Sequence, residues 1–145
     1  MLLKEELEKK KYRLLLIIGR PGSGKSKYLH NYSEESGIPI INLDDILGKK
    51  IPEGKDQNYV LGFMDGFMKS YSRDEFLLDK KAIVYDKDSH IDLLSFLENL
   101  AKDKIVIATW NGYTENGKLH HLNHNQEVDF SYDLNTVDFA YIELL

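Results

Sequence analysis

The stretch Gly19-Arg20-Pro21-Gly22-Ser23-Gly24-Lys25-Ser26 limits what this chain can be more than any other. Its spacing, G-x-x-x-x-G-K-[ST], is that of a phosphate-binding loop. Before it, Leu14 to Ile18 are all apolar and read as a short strand buried on both faces. After it, Lys25 to Tyr32 can continue as a helix. Strand, glycine loop and helix in that order are the context the motif requires. Gly22 and Gly24 permit backbone angles that turn successive N–H groups onto one anion. The following helix adds its positive end. Lys25 brings a compact charge to the outer phosphates, and Ser26 offers a hydroxyl to Mg²⁺. Arg20, Pro21, Gly22, Ser23, Gly24, Lys25, Ser26 and Lys27 are therefore the expected nucleotide contacts. The expected cofactors are ATP and Mg²⁺. No guanine-reading Asn-Lys-x-Asp occurs, and the choice between ATP and GTP stays open.

The 145 residues suit a single nucleotide-binding domain, with residues 1–12 a helix leading into the first strand. Leu3 and Leu7 lie one turn apart there, among lysines and glutamates that read as a solvated helix. A net charge of −5 argues against whole-molecule attraction to DNA or to an anionic membrane. DNA contact is left open at Lys49, Lys50 and Lys55, although a solvated loop explains them. There is no cysteine, hence no disulfide and no thiolate metal site. The early apolar run is too short for a signal segment or a membrane span, and a cytoplasmic protein is expected.

Further along, Gly37 caps the loop helix, and Ile38 to Leu43 reads as a second strand. Asp44-Asp45 follow it, either on the ligand side of the sheet or as a helix cap. Gln57 to Ser70 has the pattern of an apolar helix, in which Gly62 and Gly66 suggest close packing against another backbone. Ala82-Ile83-Val84-Tyr85-Asp86 reads as a strand ending in the Walker B aspartate, which would hold Mg²⁺ together with Ser26. A helix capped by Asp88 or Ser89 runs to about Lys102. Ile105 to Thr109 is the fourth strand, with Thr109 and Asn111 as polar candidates facing the γ-phosphate. Turn chemistry explains Asn111-Gly112 equally well. Gly112 to Tyr132 is polar, with a small antiparallel pair over about Tyr113 to Leu122 turning at Asn116-Gly117. His120, His121 and His124 lack acidic or thiolate partners at fixed spacing and read as surface residues rather than metal ligands. Val137 to Leu145 is the last strand.

The expected fold is an α/β three-layer sandwich, a P-loop NTPase whose mainly parallel five-stranded sheet has the order 5-1-4-3-2. A whole strand and helix separate the two Walker strands in the sequence. This arrangement resembles the AAA-like and RecA-like branch of P-loop proteins, where Thr109 and Asn111 would match the polar sensor position. Two departures stand out. That branch usually has a glutamate directly after the Walker B aspartate, whereas Lys87 follows Asp86, with Asp88 a displaced substitute. The chain also stops after the fifth strand, leaving no room for a helical lid. Arg73 is the one arginine suited to act as a finger on a neighbouring subunit.

Over its whole length the chain also resembles BrxF, the small P-loop protein of type 3 BREX (bacteriophage exclusion) defence systems. The likeness rests on Leu14 to Ser26, on Ile41-Asn42-Leu43, on Ile83-Val84-Tyr85-Asp86, and most of all on Ile105-Val106-Ile107-Ala108-Thr109-Trp110-Asn111-Gly112 with the later Gly117-Lys118-Leu119 and His124. The resemblance implies a bacterial or archaeal cytoplasmic protein that works with other defence-operon products. The leading function is thus a nucleotide-dependent antiviral-defence component, a weak ATPase (a hydrolase) or switch, with a nucleotide-dependent homo-oligomer as one expected state. In it Lys25, Asp86, Asp88, Thr109, Asn111 and Arg73 form the catalytic set. One alternative is a small-metabolite kinase using Asp44-Asp45 on a substrate hydroxyl. Another is a nucleotide-bound adaptor that never hydrolyses.

Overall fold

A computed structural model describes residues 2–42, 57–70, 73–79, 93–123 and 125–144. Within these, helix α1 (Leu2–Glu8) leads to strand β1 (Leu14–Gly19), then helix α2 (Lys25–Ser36) and strand β2 (Ile40–Asn42). Helix α3 (Gln57–Lys69), strand β3 (Glu75–Asp79) and helix α4 (Leu93–Leu100) follow. The chain closes with β4 (Ile105–Glu115), β5 (Lys118–Leu122), β6 (Val128–Asp133) and β7 (Ala140–Glu143). The central sheet runs β2-β3-β4-β1-β7, and each neighbouring pair in it is parallel. Beyond the end of β1, β4 continues into an antiparallel meander with β5 and β6.

Strand alternation sorts the apolar residues into two cores. Leu14, Leu16 and Ile18 of β1 face one side, with Phe76, Leu78, Val106 and Ala108. Met64 and Met68 of α3 and Leu94, Leu97 and Leu100 of α4 cover them. Leu15 and Ile17 face the other side with Leu77, Ile105 and Ile107, under Leu7 of α1 and Leu29 of α2. Both faces of β1 are covered, which is why its sequence is apolar without alternation. Leu7 is fully buried, so α1 is a packing element rather than the solvated helix its charges suggest. Gly37 ends α2 with a left-handed φ of 76° and donates its N–H to the Ser33 carbonyl.

Three expectations change. The strand that pairs with β4 on the side away from β1 is Glu75–Asp79, which takes the sheet position expected for Ala82 to Asp86. The stretch from Lys80 to Ile91, with Asp86 and Asp88, lies outside the described residues, as do Asp44-Asp45 and the lysines at 49, 50 and 55. The strand expected to end at Thr109 instead runs without a break to Glu115, so Asn111-Gly112 forms no turn. At Gly62 and Gly66 an added Cβ would meet nothing within 4 Å among the described residues, so no described backbone packs closely against them. No described helix is long and apolar enough to cross a membrane.

Candidate nucleotide-binding site

The site lies where β1 gives way to α2, at the carboxyl ends of the parallel strands. Gly22 and Gly24 both take left-handed angles, with φ of 81° and 96°. Gly24 is the N-cap of α2 and contributes no side-chain cap, so the first-turn N–H groups open onto the loop. Gly19 marks the point where the loop folds back, since a Cβ there would stand 2.1 Å from Ser23 Oγ. Lys25 Nζ donates to the Arg20 carbonyl at 3.0 Å, crossing the loop. Burial pushes the Lys25 ammonium below its ordinary pKa, and the nearby Asp79 carboxylate opposes that shift.

Asp79 ties the site together. Ser26 Oγ donates to its Oδ2 at 3.0 Å, and Thr109 Oγ1 donates to its Oδ1 at 2.7 Å. Two hydroxyls from different elements thereby aim one carboxylate at the mouth of the loop. Asp79 occupies the place expected for Asp86, and the sheet register explains how. Leu78 pairs with Ala108, which sets Asp79 level with Thr109, and Ile17 pairs with Thr109 on the other side. Hard oxygen donors suit Mg²⁺, and adjacent ligands on an octahedral Mg²⁺ lie about 2.9 Å apart. The 3.0 Å between Ser26 Oγ and Asp79 Oδ2 fits that edge. Among the described residues, these two are the ones that could hold the ion.

The other expected residues fall in different places. Thr109 is buried and joins the site. The Asn111 amide instead donates to the Leu122 carbonyl at 3.1 Å, holding β5 to β4 rather than facing a phosphate. The Arg20 guanidinium lies 4.1 Å over the Tyr113 ring, directed at the β4 extension. Arg73 precedes β3, at the opposite end of the sheet. Six extended residues separate it from Asp79, which is roughly 20 Å, so Arg73 does not meet the loop of its own chain. His120 and His121 bond Ser131 Oγ and Asp129 Oδ1 at 2.7 and 2.8 Å. No group of 3 or more His, Asp or Glu side chains able to hold a metal occurs among the described residues, and His124 lies outside them.

Sequence reasoning missed Asp79, Tyr113, Thr114 and Glu143. Phe76-Leu77-Leu78-Asp79 carries the same apolar-then-aspartate pattern as Ile83-Val84-Tyr85-Asp86, so the pattern alone names two candidates. Glu143 gives no comparable clue. It becomes part of the site because the β4 extension crosses above the loop and donates the Thr114 N–H (3.1 Å) and hydroxyl to its carboxylate.

No protein-family model matches the chain, and no curated protein matches it. Solved structures do. One is the replication initiator DnaA bound to AMPPCP and single-stranded DNA, at 21% identity and a TM-score of 0.50. The match covers 98% of this chain and 44% of that one. A DNA replication initiation factor matches at 19% identity and a TM-score of 0.42, over 99% of this chain and 44% of its own. This chain thus spans less than half the length of either. The likeness to DnaA is one of fold, a mixed α/β architecture with a mostly parallel central sheet.

Proposed function

We propose that this chain binds ATP with Mg²⁺ at the Gly19–Ser26 loop and hydrolyses it slowly, or only with a partner. The observation that carries this reading is the Ser26–Asp79–Thr109 chain of hydrogen bonds beside Lys25 and the left-handed glycines. It joins a phosphate cradle, a fitted cation site and a buried hydroxyl at one point. The AMPPCP in the DnaA structure of like fold agrees with it. Slow turnover follows from the residue after the aspartate. A glutamate there would orient the attacking water, and here Lys80 follows Asp79, just as Lys87 follows Asp86. Neither candidate aspartate has the glutamate beside it.

The wider role, a component of a bacterial or archaeal BREX-type defence system acting with other operon products, is supported by the resemblance at Ala108-Thr109-Trp110-Asn111-Gly112. In the fold that segment carries both the site and the arm. Thr109 bonds Asp79, while Trp110 donates to the His120 carbonyl at 3.1 Å and Asn111 to Leu122. The test is calorimetric titration with Mg²⁺ and a non-hydrolysable ATP analogue, alongside a phosphate-release assay. Binding that falls at least about tenfold in Lys25→Ala is expected, since a charge-assisted contact to phosphate is lost. Equal binding by both proteins would sink the reading. Tight binding with no phosphate release, even with operon partners present, would identify the non-hydrolysing adaptor.

A further inference from the structure

Beside the phosphate loop lies a second space, a cavity of about 400 Å³ between the loop, the β4 extension and the end of β7. Arg20, Pro21, Gly22 and Ser23 form its loop side, and Tyr113, Glu143 and Leu144 face them. We propose that this cavity receives the ribose of the bound nucleotide and that Glu143 is the residue that reads its hydroxyls. This rests on the nucleotide-binding reading above and adds to it a selection for ribonucleotides over deoxyribonucleotides.

Continuity is the first argument. Gly22 and Ser23 belong both to the phosphate cradle and to the cavity wall. A cation held by Ser26 and Asp79 would serve the outer phosphates on the β3–β4 side of β1, which directs the opposite, sugar-bearing end of a nucleoside triphosphate toward β7 and this space. The second argument is the chemistry of Glu143. An ionised carboxylate offers about four acceptor positions. Thr114 engages one on each oxygen, through its N–H and its hydroxyl. That fixes the side chain and leaves an acceptor position on each oxygen, and a ribose presents two adjacent O–H donors. Carboxylates read ribose hydroxyls in the same way in dinucleotide-binding folds.

The remaining walls suit a sugar as well. Pro21 and Leu144 supply apolar contact. The Arg20 guanidinium is held against the Tyr113 ring, which makes a stiff side wall.

The experiment is calorimetry on the full chain with Mg²⁺ and three probes: a non-hydrolysable ATP analogue, its 2′-deoxy counterpart, and inorganic tripolyphosphate. The wild-type protein is expected to bind the ribonucleotide on the order of tenfold more tightly than the deoxynucleotide, for one lost hydrogen bond to a charged group. In Glu143→Ala the two are expected to bind alike, with tripolyphosphate affinity unchanged. Glu143→Gln keeps an acceptor for Thr114 and so guards against a folding defect. It is expected to shrink the preference about threefold, because a neutral acceptor bonds a hydroxyl less strongly than a carboxylate. A wild-type preference of one, or a preference that survives both substitutions, overturns the assignment. Failure of the ATP analogue itself to bind the wild-type chain overturns the nucleotide reading, and this inference with it.

Discussion

Asp79 concentrates the chemistry of the site in one side chain, because both its oxygens are taken by hydroxyls from different elements. Its replacement by asparagine removes the charge and half the acceptor capacity while keeping the shape. In Asp79→Asn the Mg²⁺-dependent gain in nucleotide affinity is expected to fall at least about tenfold. Parallel titration of Asp86→Asn, expected to keep that gain, separates the two aspartates. The reverse result would move the cation site to Asp86. Lys25 supports a second prediction at this scale. Its pKa in the folded chain lies below the ordinary value of 10.5, chiefly through burial. For a base depressed on folding, the unfolded chain binds more protons in the window between the folded pKa and 10.5. Stability therefore rises with pH across that window, and the desolvation cost is fully present below it. Melting temperatures of wild type and Lys25→Met, followed from neutral to alkaline pH, should show the wild type gaining on the variant. A constant difference would mean the ammonium is not held in a desolvated place.

The β4–β5–β6 meander is the element that the sequence disguises. Asn111-Gly112 looks like a turn, but each residue has a partner that only the folded chain supplies. Trp110 is fully buried, meeting the His121 and Tyr132 rings edge-on at 4.9 and 5.9 Å, and Asn111 holds Leu122. Gly112 lets β5 approach, since a Cβ there would sit 1.9 Å from the His120 carbonyl oxygen. Backbone cannot retreat as a flexible side chain can. Gly112→Ala is therefore expected to cost about 2–4 kcal/mol and to lower the melting temperature by roughly 5–15 °C. A loss under 2 °C would mean that the meander tolerates displacement. The turn at Asn116-Gly117, by contrast, is readable in advance, and both residues take left-handed angles of 54° and 74°. Strand β6 is also legible in the sequence, since Val128, Phe130 and Tyr132 alternate with Asp129, Ser131 and Asp133 within an otherwise polar stretch.

At the scale of the molecule, the nucleotide site opens at one end of the parallel sheet and Arg73 stands at the other. An arginine so placed can stabilise a transferring phosphoryl group only in another molecule. The particle mass in solution, measured with and without Mg²⁺ and a non-hydrolysable ATP analogue, is expected to rise with nucleotide, and Arg73→Ala is expected to lower turnover in that assembly. A monomer under both conditions would direct the search to a different protein as the source of the missing glutamate or arginine.

The phosphate loop, the buried strand before it, the helix after it and the Gly37 cap needed only the sequence. Each depends on residues adjacent in the chain, where dihedral limits and hydrogen-bonding capacity act locally. Which aspartate faces Ser26, where the fourth strand ends and which carboxylate lines the space beside the loop were decided by tertiary structure. Two apolar runs ending in aspartate are equivalent until one of them pairs with β4, and that pairing depends on register between strands about thirty residues apart. Glu143 joins the site for the same reason, because β7 lies beside β1 while the β4 extension reaches over both.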